Sequence, residues 1–230
     1  MITLDKFIQI NNLEINDYID LEIISIINNI TIEEVEEMRN KDIINIIKLY
    51  KQTISTSKLK DFILINDKKY FLRKNEDLDF GEFIDLQKYI QDIDNWNKVI
   101  NIYYGIDLND SYNVDIINVN GIIQHFITFD NFIKSNYSII FDYSGEIEDD
   151  EDELQFKHPN SRFEDLKKQE DSNNQQKFGW LPIIFELAKN DITKMNDVVK
   201  QNVILVFNTL VMVKVLKITI NPISSSLNGI

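Results

Sequence analysis

Apolar residues recur at helical spacing along most of the chain, and that period settles the fold class before any single residue is considered. Between Leu4 and Tyr50 the pattern is dense. Ile19, Leu21, Ile23, Ile24, Ile26 and Ile27 return every three or four positions, as in a helix that buries one stripe. Two or three short amphipathic helices are expected there. Thr31-Ile32-Glu33-Glu34 separates them: the Thr31 hydroxyl can accept from the Glu34 backbone N–H while the Glu34 carboxylate reaches back to the Thr31 N–H, a capping box that opens a new helix. Val35 and Met38 lie on its inward face, and Ile43, Ile44, Ile46, Ile47 and Leu49 begin the next run.

Lys51 to Lys60 is polar and rich in Ser, Thr and Lys, which predicts a connector and a candidate boundary. Phe62-Ile63-Leu64-Ile65 and Tyr70-Phe71-Leu72 are strand-like, with Asn66 to Lys69 as the hairpin loop. A lone hairpin is marginal in water, so this one must pack on neighbouring helices. Asp79 with Glu82 is placed to cap a helix from Phe80 to Ile90, whose Phe83, Leu86 and Ile90 share a face. Trp96 to Tyr104 continues the helical pattern. Tyr112 to Tyr143, which carries Ile122, Ile123, Phe126, Phe129, Phe132, Ile133, Tyr137, Ile140 and Phe141, reads as two buried helices.

The composition changes at Ser144. From there to Gln176 stand 11 acidic and 4 basic residues with too few apolar ones to bury a core, which predicts a flexible linker. Helical segments resume from Phe178 to Asn190, near Asp191 to Lys200, and from Asn202 to about Ile218. Asn221 to Ile230, with Pro222 and three serines, reads as a loose tail. No repeat of fixed period is visible, which disfavours a solenoid. The expected architecture is mainly α with a small β-hairpin or sheet. It comprises a helical region at 1–143 with its hairpin near 62–72, an acidic linker at 144–176, a C-terminal helical region at 177–220 and a tail at 221–230.

The chain of 230 residues is long enough to bury a core without metal or disulfide staples, as one large domain or two small ones. It has no cysteine, which excludes disulfides, thiolate nucleophiles and Cys-based zinc or iron–sulfur sites. A net charge of −14 repels the phosphate backbone that supplies most nucleic-acid affinity, so no nucleic-acid partner is expected. Met1-Ile2-Thr3-Leu4-Asp5 does not read as a secretory signal. Val203 to Val213 is the most apolar segment; it is about half the roughly 20 residues of a membrane helix and carries Asn208, so it reads as a core helix and no membrane partner is expected.

No catalytic signature can be assembled. The two histidines, His125 and His158, make no HExxH pair. His125 among Ile122, Ile123 and Phe126 reads as a packing residue, and His158 falls in the acidic linker. The six glycines are scattered and spell neither a phosphate loop nor a dinucleotide fingerprint. Asp107, Asn109 and Ser111 match the first ligands of a calcium loop, but Tyr112 stands where its Gly should be and Asn118 where its closing Glu should be. The acidic run Glu148 to Glu153 reads as a solvated face rather than a metal site. A carboxylate pair for hydrolysis stays open, since spatial separation is invisible in sequence. A non-enzymatic protein with no cofactor and no metal is therefore expected. Trp96, Phe178, Trp180 and Phe185 are candidate protein-interface residues because aromatic side chains concentrate in binding hot spots, with core packing as the other reading.

Three segments together resemble phage tail assembly chaperones, in particular the divergent kind of phages with large, AT-rich genomes. Asp20 to Tyr50, DLEIISIINNITIEEVEEMRNKDIINIIKLY, is similar to their compact helical unit. Tyr70 to Ile90, YFLRKNEDLDFGEFIDLQKYI, followed by Trp96 to Gly105, resembles a strand leading into a helix. Phe178 to Leu210, with Trp180, Leu187-Ala188 and Asp191-Ile192-Thr193-Lys194, looks like the C-terminal helical region. The resemblance implies a helper in the host cytoplasm that binds the tape measure protein and keeps its long apolar helices in solution until the tail tube forms. It carries no catalytic or metal-binding residue. The alternative is a structural virion protein of the neck, tail or packaged cargo, whose helices would meet neighbouring virion subunits or form a symmetric homo-oligomer.

Overall fold

The computed structural model describes residues 1–141 and 179–226, with side chains as far as Leu216. The acidic segment 144–176, Phe178 and the last four residues lie outside the described residues. Helices dominate, and the sheet has two antiparallel strands. The chain divides into two compact units, Met1–Asn75 with Asp85–Asp130, and Glu76–Ile84 with Asn131–Ile230. Composition does not mark this division, and both flanks of the Lys51–Lys60 stretch belong to the first unit.

In the first unit, four helices precede the hairpin: α1 (Leu4–Asn11), α2 (Ile19–Asn28), α3 (Ile32–Glu36) and α4 (Asn40–Ile54). The capping box at α3 forms as the sequence indicates. Glu34 N donates to Thr31 Oγ1 at 3.2 Å and Thr31 N donates to Glu34 Oε2 at 2.8 Å. Thr31→Ala should cost about 1 kcal/mol of stability in chemical denaturation; an unchanged midpoint would show that the box adds nothing. Helix α4 runs four residues further than the expected connector allowed, because Lys51, Gln52 and Thr53 continue its polar face and Ile54 its apolar one.

Strands β1 (Phe62–Ile65) and β2 (Lys68–Phe71) pair in antiparallel register, Phe62 opposite Phe71 and Ile65 opposite Lys68. The loop is shorter than expected. Only Asn66 and Asp67 turn the chain, both with positive φ (50° and 61°), as a two-residue type I′ turn requires. Lys68 and Lys69 look like loop residues in sequence but are strand residues. Ile63 and Ile65 point into the core.

Helices α5 (Phe80–Tyr89), α6 (Trp96–Tyr104), α7 (Leu108–Ser111) and α8 (Ile116–Asn136) follow. The first unit holds the C-terminal half of α5 and α8 as far as Asp130. The start of the chain is tied to the α7–α8 junction by Leu4 N to Val114 O (2.8 Å) and Ile116 N to Ile2 O (2.9 Å). The end of α4 and the segment after it are tied to α8 by Asn120 Nδ2 to Ile54 O (2.9 Å), Lys58 N to Ile117 O (3.0 Å) and Lys60 N to Asn118 Oδ1 (3.0 Å).

The second unit begins with a reciprocal cap on α5. Glu82 N donates to Asp79 Oδ1 at 2.7 Å and Asp79 N to Glu82 Oε2 at 2.9 Å, matching the pairing expected from sequence. The unit continues with the end of α8, α9 (Ser138–Phe141), α10 (Leu181–Leu187), α11 (Met195–Val199) and α12 (Val203–Ser226). The last helix passes through Asn221 and Pro222, where a tail was expected. Phe80 N bonds Gln201 O at 2.8 Å and Val203 N bonds Leu78 O at 3.0 Å, so the starts of α5 and α12 are stitched together through backbone groups.

Candidate protein-binding surfaces

Helix α4 carries more apolar side chains than one buried face can accept. At about 100° per residue, Ile43 and Ile47 fall together while Ile44 and Leu49 point elsewhere. Ile47 and Tyr50 are buried, but Ile44 is 65% exposed and Leu49 is exposed as well. Beside α2 the exposed side opens into a groove of about 530 Å³. Ile43, Ile44 and Ile47 form its apolar floor, and Asp20, Lys48, Lys51, Gln52 and Ser55 its polar rim. Such a groove suits an apolar helix stripe that carries an acidic residue toward the two lysines. The sequence signal for it is an isoleucine run too broad for one buried stripe.

The four aromatic interface candidates separate. Trp96 is 6% exposed, stacks on Phe7 with ring centroids 5.8 Å apart, and donates from Nε1 to Ile90 O at 3.2 Å. It is occupied within the first unit. Trp180 is half-buried in the second unit, edge-on to Phe80 (5.4 Å), Phe207 (5.7 Å) and Phe141 (5.8 Å). Phe185 on α10 is 40% exposed and Leu181, one turn earlier, is exposed too. Phe178 lies outside the described residues.

Of the titratable side chains singled out in sequence, the described ones, His125 and Asp107, have packing or capping partners. His125 meets the edge of Tyr103 at 5.9 Å. Asp107 Oδ1 accepts from Asn109 N at 2.9 Å and caps α7, and Ser111 is buried with its hydroxyl on Asp107 O at 3.0 Å. These three residues cap and close the single-turn helix α7, so the partial calcium-loop spacing has a structural reason. Burial pushes the Tyr103 phenol far above its ordinary value, and Tyr104 is raised for the same cause. Both stay neutral donors: Tyr103 to Asn75 Oδ1 at 2.6 Å, Tyr104 to Lys60 O. Among the described residues no three His, Asp or Glu side chains group as metal ligands would, and no helix is long and apolar enough to cross a membrane. His158 and the run Glu148–Glu153 lie outside the described residues.

Compared with protein-family models, curated proteins and solved structures, the chain matches none.

Proposed function

We propose that the chain is a non-enzymatic phage morphogenesis protein, a tail assembly chaperone acting in the host cytoplasm. In this reading it holds an amphipathic helix of the tape measure protein in the α2–α4 groove. The observation that carries it is Ile44, exposed in the floor of that groove beside half-buried Ile43, on a helix whose Ile47 and Tyr50 already form a buried face. Exposed apolar surface of this kind is kept where a partner covers it for part of its life. A groove also suits reversible holding, because the partner needs only a helical stripe and no fixed sequence. The resemblance of Asp20–Tyr50 to the helical unit of tail assembly chaperones supports the same segment.

Ile44→Asp tests the reading. The side chain is exposed, so folding should be unchanged by circular dichroism, while co-purification with co-expressed tape measure protein should fall by roughly tenfold or more, since a charge would be buried without a partner. Retention of the partner by the variant at the parent level would remove the groove from the mechanism.

A second reading, a permanent virion subunit, is favoured by one observation in the second unit. There Leu181 and Phe185 on α10, and Leu205 and Met212 on α12, are exposed. Closed rings need complementary patches on two sides of each subunit.

A further inference from the structure

We propose that the hairpin is a second binding site, and that its occupant is an acidic, extended segment of a partner protein, added as a third strand on the outer edge of β1. The site shares no residue with the α2–α4 groove and does not depend on the function proposed above.

The register sets the edge. Leu72 N bonds Asp61 O at 2.8 Å, which makes that pair a hydrogen-bonded one. Alternation along an antiparallel ladder then makes Ile63–Tyr70 and Ile65–Lys68 the other bonded pairs. The N–H and C=O groups of Phe62 and Leu64 therefore point away from β2. The side chains of Phe62, Leu64 and Phe71 stand on the exposed face, Leu64 and Phe71 each about two-thirds exposed (64% and 65%). Lys69 Nζ lies over the rings of both Phe62 (3.7 Å) and Phe71 (4.9 Å). No charged side chain lies within β1 to guard its edge, the usual protection of an open strand.

Charge selects the occupant. Residues 58–74 hold six basic and two acidic side chains in a chain whose net charge is −14. Lys58, Lys60, Lys68, Lys69 and Lys74 are exposed, and none forms an ion pair with a described residue. A partner strand with carboxylates would meet these lysines, and its backbone would match the alternating donors and acceptors of the β1 edge. A phosphate backbone offers acceptors but no donors to the outward carbonyls of Phe62 and Leu64, so single-stranded nucleic acid fits less well. Two hairpins edge to edge would set lysines against lysines, which disfavours self-pairing.

The test uses the full chain and a fluorescein-labelled peptide of seven residues alternating Glu and Val, followed by anisotropy. Saturable binding that weakens with salt is expected. Methylating the peptide's alternate backbone nitrogens, which removes the donors a strand must offer, should reduce affinity by at least roughly tenfold. The double variant Lys60→Glu, Lys69→Glu should do the same while keeping the parent circular dichroism spectrum, because both side chains are exposed. The proposal is overturned if the acidic peptide does not bind, if the methylated peptide binds equally well, or if oligothymidylate binds more tightly than the peptide.

Discussion

Replacing Phe207 by alanine is expected to cost about 3–5 kcal/mol, the range for emptying a large buried aromatic site. Phe207 has no exposed surface and lies at the centre of the second unit's aromatic cluster. Its ring is 5.8 Å from Phe80, 5.6 Å from Phe83, 5.2 Å from Tyr137, 6.0 Å from Phe141 and 5.7 Å from Trp180. Removing it leaves a cavity and breaks five ring contacts, several edge-to-face, each of which adds to the area term. Trp96→Phe leaves Trp180 as the sole indole, since the chain has two tryptophans. In that background Phe207→Ala should red-shift Trp180 emission and lower the denaturation midpoint. Leu205→Ala, on an exposed position of the same helix, should stay within about 0.5 kcal/mol of the parent. Equal effects of the two variants would show that the cluster is not what holds this unit.

Gly121→Ala is the second large effect, expected at about 2–3 kcal/mol. A Cβ at Gly121 would stand 2.5 Å from Leu59 N and 2.6 Å from Lys58 C, closer than real contacts allow, and the obstacle is backbone rather than a flexible side-chain end. The 58–60 segment cannot yield freely, because Ile117 O and Asn118 Oδ1 hold Lys58 N and Lys60 N. Gly105→Ala separates space from backbone conformation. Its φ of +64° disfavours alanine, but nothing lies within 4 Å of the added Cβ, so a loss of only about 1 kcal/mol is expected. Amide exchange over 54–60 should quicken in Gly121→Ala alone. A variant as stable as the parent would mean that this strap is not packed on α8.

These two cases show where sequence reading stops. Thr31 with Glu34 and Asp79 with Glu82 were legible because a capping box is complete within four consecutive residues. The hairpin is legible from its apolar strands, but its turn reads as four residues because Lys68 and Lys69 are both exposed, and exposed strand and loop residues look alike in sequence. The polar face of α4 at Lys51–Thr53 passed for a connector for the same reason. Gly121 gave no sign, since its need is set by a backbone segment some sixty positions earlier. The partners of Phe207 come from Phe80, Phe83, Tyr137, Phe141 and Trp180, a set that no local pattern assembles. The groove had a partial signal, the isoleucine excess on α4, whose meaning depends on which of its faces the rest of the unit covers.

Quantitative mass spectrometry of purified virions beside infected-cell lysate is the most direct measurement of the proposed role. A tail assembly chaperone should be abundant in the lysate and absent from the particles. Recovery from particles at a fixed, ring-like number of copies would contradict the chaperone and establish a structural virion protein.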